Sequence, residues 1–142
     1  MIRAILVMSA AGCLSALAVP AAAEPACGLY QYKAEIVRVI DGDTVVADID
    51  LGFHTWRRDE HLRLYGIDTP ERRTETMDGW RAAKSALAER VEGRELIICT
   101  IKNKRGDEDV GKYGRYLVKI YDGDELVNDW LLQQGHAVVY ED

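Results

Sequence analysis

Between residues 62 and 71 (LRLYGIDTPE) apolar and polar positions alternate, with Leu62, Leu64 and Gly66 set against Arg63, Tyr65 and Ile67, before the run gives way to Asp68, Thr69, Pro70 and Glu71. A period of two is the pattern of a strand with one buried face. Pro70 has no amide hydrogen for a ladder and biases Thr69 away from helix, so the strand is predicted to stop there. Two carboxylates, Asp68 and Glu71, thus leave the scaffold close together. Residues 39–44 (VIDGDT) repeat the design, an apolar strand end followed by Asp41, Gly42 and Asp43.

The same reading extends along the chain. Residues 30–40 alternate and then tighten to Val37, Val39 and Ile40, a half-buried strand becoming fully buried. Asp41, Gly42 and Asp43 are turn formers, and residues 44–50 (TVVADID) resume period two, which predicts a hairpin around an acidic turn. Residues 51–59, with Gly52 and the pair Arg57 and Arg58, read as the next turn, leading into the strand at 62, so that three strands form a meander. After a polar loop at 72–79, Trp80, Ala83, Leu87, Ala88 and Val91 mark the apolar face of a helix with Asp78 near its N-cap and Gly93 past its end. Residues 95–101 (ELIICTI) predict a fourth strand, 102–111 an exposed loop and 115–121 a fifth strand. A short helix over 126–134, capped by Gly135, and an apolar run at 137–140 complete the reading. Strand, strand, strand, helix, strand, strand is the order of a five-stranded OB-fold barrel, mainly β, with one helix between strands 3 and 4 and a second short helix near the C-terminus.

Composition adds a leader. Met1, Ile2 and Arg3 give a positive start, residues 4–19 are apolar and uncharged, and Ala21, Ala22 and Ala23 form a small-residue cleavage site ahead of Glu24. A signal peptide is expected over 1–23 and a single globular domain over 24–142, exported to a periplasmic or extracellular location. A membrane anchor fits less well, because the segment is short and is followed by Pro20 and an acidic residue. Loss of residues 1–23, which carry Arg3 and no anion, would move the formal net charge from −6 to −7. That balance sits awkwardly with a nucleic-acid binder, although overall charge does not fix the local field. Cys27 and Cys99 would remain, and an oxidising compartment permits either a bridge between them or two separate thiols. Nothing in the sequence signals oligomers, and a monomer is expected.

Asp43, Asp68 and Thr69 each stand at a strand end beside a turn, in consecutive parts of one meander, so they can converge on one side of a barrel. Hard oxygen donors suit Ca²⁺ or Mg²⁺, and no Cys/His spacing for zinc is present; His54, His61 and His136 are scattered. Turn chemistry alone would account for Asp41, Gly42 and Asp43. Arg63, five residues before Asp68, and Arg115, at the start of the fifth strand, add cations. Two arginines, a divalent cation and a carboxylate base are what phosphodiester hydrolysis requires: charge neutralised at phosphorus, and a water positioned and deprotonated.

Four blocks then occur in order: VIDGDT at 39–44, LRLYGIDTPE at 62–71, GKYGR at 111–115 and LVNDWLLQQGHA at 126–137. Together they resemble the staphylococcal nuclease (thermonuclease) family over nearly the whole chain after the leader. The resemblance implies an OB-fold and a Ca²⁺-dependent nuclease acting on DNA and RNA, with single strands favoured, to leave 3′-phosphate ends. It implies that Asp43 and Asp68 bind Ca²⁺ by carboxylate and Thr69 by its carbonyl, with Asp41 supporting the site. Glu71 matches the general base, Arg63 and Arg115 the phosphate-binding arginines, and Lys112 and Tyr113 the groups contacting a terminal phosphate; Tyr140 stands where a tyrosine would stack on a base. The chain departs from the family in having Gly111 where an aspartate is frequent, a shorter loop after Glu71, no third helix before Asp142 and an acidic balance. A non-catalytic OB-fold module binding an oligonucleotide or an envelope partner is the competing expectation.

Overall fold

The hairpin at the acidic turn forms as expected. Strand β1 (Gln31–Asp41) pairs antiparallel with β2 (Thr44–Asp50), closing at Asp41 opposite Thr44. The computed structural model describes Cys27 and residues 30–141, so the expected leader at 1–23 lies outside the described residues. β3 (Trp56–Leu64) continues the meander and places Arg63 opposite Thr44. β5 (Glu95–Thr100) joins the other edge of β1, and β6 (Tyr116–Asp122) pairs with β5. A parallel pairing of β6 with β3, Leu62 opposite Tyr116 through Leu64 opposite Val118, closes the five strands into the OB-type barrel.

Three two-residue strands elaborate it. β4 (Ile67–Asp68) and β8 (Val138–Val139) make a separate small sheet, and β7 (Glu125–Leu126) extends β6. Helix α1 (Met77–Val91) packs on β1, and α2 (Val127–Gln133) packs on β6. The core gathers the inward set of each strand, including Ile36, Val45, Leu62, Leu64, Ile98 and Val118, with Leu87 and Val91 from α1 and Leu131 from α2. Among the described residues no helix is long and apolar enough to cross a membrane.

The structure moves several boundaries. β3 begins at Trp56, inside the stretch read as a turn, because the chain reverses tightly at residues 51–55, where the Leu51 amide bonds the Thr55 carbonyl and the Thr55 amide bonds the Gly52 carbonyl. The LRLYGIDTPE strand is not continuous. It breaks after Leu64, where the Tyr65 amide donates to the Val118 carbonyl and Gly66 takes a left-handed φ of +78°. The break shifts the alternation by one residue, so Ile67 is buried with Leu62 and Leu64 instead of facing outward with Arg63. α1 starts at Met77 after a single 3-10 turn (Thr74–Thr76), and Asp78 lies in its first turn, not at its cap.

Cys27 and Cys99 are joined in a disulfide, with Cα atoms 6.0 Å apart across a sequence separation of 72. The bridge ties the chain ahead of β1 to β5. A loop of that length corresponds to about 4 kcal/mol in the chain-entropy model.

Candidate active site

The acidic turn between β1 and β2 is pressed under α1. A Cβ on Gly42 would stand 2.6 Å from Ala83 Cβ and 2.9 Å from Thr69 Oγ1, so a hydrogen is all that fits there. Gly79, one turn earlier on α1, likewise leaves a Cβ only 3.1 Å from Pro70 Cγ. Small residues on one helix face thus bring α1, the acidic turn and the Thr69–Pro70 segment together. The indole Nε1 of Trp80 donates to Asp41 Oδ1 at 2.7 Å and fixes the turn from the same helix.

Asp43 is buried, which is costly for a carboxylate unless its oxygens are matched by donors. Its Oδ2 accepts from the Thr69 amide (3.1 Å), the Thr69 hydroxyl (2.9 Å) and Arg63 Nη1 (3.0 Å), and its Oδ1 accepts from the Thr44 hydroxyl (3.1 Å). The other terminal nitrogen of Arg63 reaches Asp68 Oδ1 at 3.0 Å. One guanidinium therefore joins carboxylates from two different turns. Arg115 Nη1 donates to the Thr44 hydroxyl at 2.9 Å, so Thr44 links the second arginine to Asp43. The Arg115 Nε has no partner among the described residues, which leaves that guanidinium with donor capacity unused beside the cleft.

Asp43, Arg63, Asp68, Thr69 and Arg115 line one cleft of about 470 Å³, together with Asp41, Glu71, Lys112, Tyr113 and Tyr140. Every residue singled out from the sequence is in it. Glu71 is exposed at the lip and pairs with Arg73. Tyr113 is exposed beneath the Arg115 guanidinium, whose Cζ lies 5.5 Å from its ring. Tyr140 arrives through the small sheet, because its amide donates to the Gly66 carbonyl one step beyond the β4–β8 pairing. Arg63, Arg72, Lys112 and Arg115 face Asp41, Asp43, Asp68 and Glu71 around the cleft, so the acidic excess of the chain is not carried into it. The three histidines are not part of it.

Among the described residues no three His, Cys, Asp or Glu side chains gather to hold a metal ion. The candidate set is smaller, two carboxylates and one main-chain carbonyl. It fits a hard divalent cation in two respects: the donors are all oxygen, and Asp43 and Asp68 lie near enough to share one cationic group, as their common pairing with Arg63 demonstrates.

Four supporting residues escaped the sequence reading. Trp80 reads as an apolar helix position yet holds Asp41, and Gly42 reads as turn chemistry yet answers to Ala83 and Thr69. Thr44 reads as the first residue of a strand yet stands between Arg115 and Asp43. Asn128 is buried in α2, accepts from the Ile120 amide (3.1 Å) and donates to the carbonyls of Tyr65 (2.9 Å) and Val118 (3.2 Å). It thereby pins the turn from which Asp68 departs. The one available signal was a polar residue between Val127 and Leu131 on an otherwise apolar helix face.

The thermonuclease of Staphylococcus intermedius is 33% identical over 105 residues, covering 72% of this chain and 56% of its own length. The thermonuclease of Staphylococcus hyicus is 30% identical over 106 residues, with 75% and 57% covered. An uncharacterized protein of Methanocaldococcus jannaschii is 29% identical over 131 residues, with 77% and 59% covered. The chain thus spans less than two thirds of the length of these relatives. The family model described as staphylococcal nuclease homologue matches residues 61–142. That span holds Arg63, Asp68, Glu71 and Arg115, while the turn bearing Asp43 precedes it and is joined to it by the hydrogen bonds of Thr69 and Arg63. More than half of the chain lies within the match, and the protein belongs to the staphylococcal nuclease homologue family.

Proposed function

We propose that this protein is an exported, Ca²⁺-dependent nuclease that hydrolyses phosphodiester bonds of DNA and RNA and leaves 3′-phosphate ends. The observation that carries the reading is the convergence of Arg63, Arg115, Glu71, Asp43 and Asp68, from three separate stretches of sequence, on one cleft. A structural role alone gives no reason for two arginines and an exposed carboxylate to share a cleft with a buried, fully hydrogen-bonded aspartate.

In this reading Arg63 and Arg115 bind the non-bridging oxygens of the scissile phosphate and stabilise the charge that grows on them in the transition state. Glu71 accepts a proton from the attacking water. As the new P–O bond forms, the bond to the 5′ oxygen breaks and that oxygen takes a proton from solvent water, so the phosphate stays on the 3′ side and Glu71 returns its proton to solvent. Lys112 and Tyr113 hold a neighbouring phosphate, and Tyr140 offers a ring to a base. Asp43, Asp68 and the Thr69 carbonyl would hold Ca²⁺, which when bound supplies further neutralisation of the phosphate charge. Thr44 and Asp41 act as positioning residues, Thr44 by orienting Arg115 and Asp43, and Asp41 by anchoring the turn to Trp80.

The deciding experiment is cleavage of single-stranded DNA and RNA by the purified protein with added Ca²⁺, with excess chelator, and in the Glu71→Gln variant. Cleavage with Ca²⁺ and its loss in the other two conditions is the expected result. Tight binding without cleavage under all conditions would establish the non-catalytic OB-fold module instead.

A further inference from the structure

Most cations of this acidic chain are neutralised by a neighbour. Every arginine of β1, β3 and α1 lies within 3.7 Å of a carboxylate oxygen. Arg72 and Lys84 do not follow this rule. Among the described residues neither has a carboxylate partner, and both lie over the indole of Trp80, Arg72 Cζ at 5.3 Å and Lys84 Nζ at 5.1 Å from the ring centroid. Lys84 is one helical turn beyond Trp80 and shares its face of α1. Trp80 is itself held by Asp41 of the cleft, and Arg72 lines the cleft lip.

The arrangement therefore extends the cationic wall of the cleft outward, from Arg63 and Arg115 at the centre through Arg72 at the lip to Lys84 on the helix. Stacking on the indole orders two long side chains while their charges remain free. In a chain of net charge −6, cations without a counter-ion are where a polyanion gains most, since no ion pair must be broken to bind it. Lys104, Arg105 and Lys119 also lack a described carboxylate partner, but they belong to the β5–β6 connection and to β6, and none of them lines the cleft.

We infer that Arg72 and Lys84, ordered by Trp80, form a second phosphate subsite that binds the backbone of a single-stranded nucleic acid beyond the phosphate held at Arg63 and Arg115. The inference rests on the nucleic-acid reading of the cleft and assigns the path a longer strand takes out of it, over α1.

The test is equilibrium binding of a fluorescent single-stranded oligonucleotide, long enough to pass the cleft, in chelator so that nothing is hydrolysed. The unaltered protein is compared with the Arg72→Gln/Lys84→Gln double variant across a salt series. Expected are an affinity lower by about tenfold and a slope of log K against log salt shallower by about 1.4, the counterion release of two phosphate contacts on a single strand. A dinucleotide, too short to reach α1, should lose less affinity than the long strand, a difference that a general loss of fold would not produce. Equal affinities and slopes for the long strand, or an equal loss for both ligands, would overturn the subsite. Because hydrolysis is absent from this experiment, its outcome is independent of whether the cleft cleaves, which the Ca²⁺ assay decides separately.

Discussion

Trp80 Nε1 donates a hydrogen bond of 2.7 Å to Asp41 Oδ1, so a helix residue holds the acidic turn 39 positions earlier in the chain. A hydrogen bond to a charged acceptor contributes on the order of 1.5 kcal/mol when partly buried. Trp80→Phe keeps most of the ring and removes the donor. It should lower stability by about that amount in urea unfolding and reduce cleavage several-fold, with the loss appearing in kcat more than in KM because the turn, not the substrate contact, is loosened.

Gly42 tests how tightly α1 and the turn are fitted. Gly42→Ala places a methyl group 2.6 Å from Ala83 Cβ, and overpacking of that kind costs about 1–3 kcal/mol. Ala83→Gly in the same chain removes the atom it strikes. The double variant should regain part of the stability lost in Gly42→Ala even though Ala83→Gly alone weakens the helix, a coupling measurable by a double-mutant cycle.

Arg63 and Glu71 should separate stability from activity. Glu71 is exposed, so Glu71→Gln should leave the unfolding midpoint unchanged while cleavage falls by a factor of about 100 or more. Arg63→Ala removes the partner of the buried Asp43 carboxylate, and breaking a buried ion pair costs about 3–5 kcal/mol. Ca²⁺ should raise the Arg63→Ala midpoint measured by thermal unfolding, and chelator should reverse the gain. A midpoint indifferent to Ca²⁺ would count against Asp43 as a metal ligand.

Asn128 satisfies one amide and two carbonyls on two other segments. Asn128→Ala takes the side-chain partner from the Ile120 amide and the Tyr65 carbonyl, whereas the Val118 carbonyl keeps the Tyr65 amide, at a cost of about 2 kcal/mol or more. The loss should appear both as a lower urea midpoint and as faster amide exchange at Ile120.

Acid sensitivity should reside partly far from the cleft. The hydrogen bond from Arg94 holds the Asp122 carboxyl below its ordinary value, with the charges of Arg94 and Arg90 acting in the same direction. A carboxyl depressed in the folded state contributes stability above its unfolded value and loses it as pH falls through the folded one. Stability should therefore decline below about pH 4, and Asp122→Asn should flatten that part of the profile while lowering stability at neutral pH.

Much of this was legible in residue order. Strand alternation, turn residues and one helical apolar face led to a five-stranded barrel with its helices in the right places, because periodicity records which face of each element meets the core. The shared cleft was legible for a related reason: Asp43, Asp68, Glu71, Arg63 and Arg115 sit where strands end, and side chains at strand ends can converge when the strands close into one barrel. The break at Gly66 was not legible. Alternation carried through it on paper, whereas the chain turned there because the Tyr65 amide found the Val118 carbonyl on β6, and a partner 53 positions away leaves no local signature.

The sequence by itself determined the residue types of the cleft, the barrel that presents them and the acidic balance that makes their field a question. Tertiary structure alone decided that Arg63 joins Asp43 to Asp68, that Gly42 yields its space to Ala83, and that Arg72 and Lys84 stand over Trp80 with no carboxylate partner among the described residues. Periodicity is a property of neighbours along the chain. Ion pairing, steric fit and the absence of a counter-ion depend on distances between segments that only the closed barrel fixes.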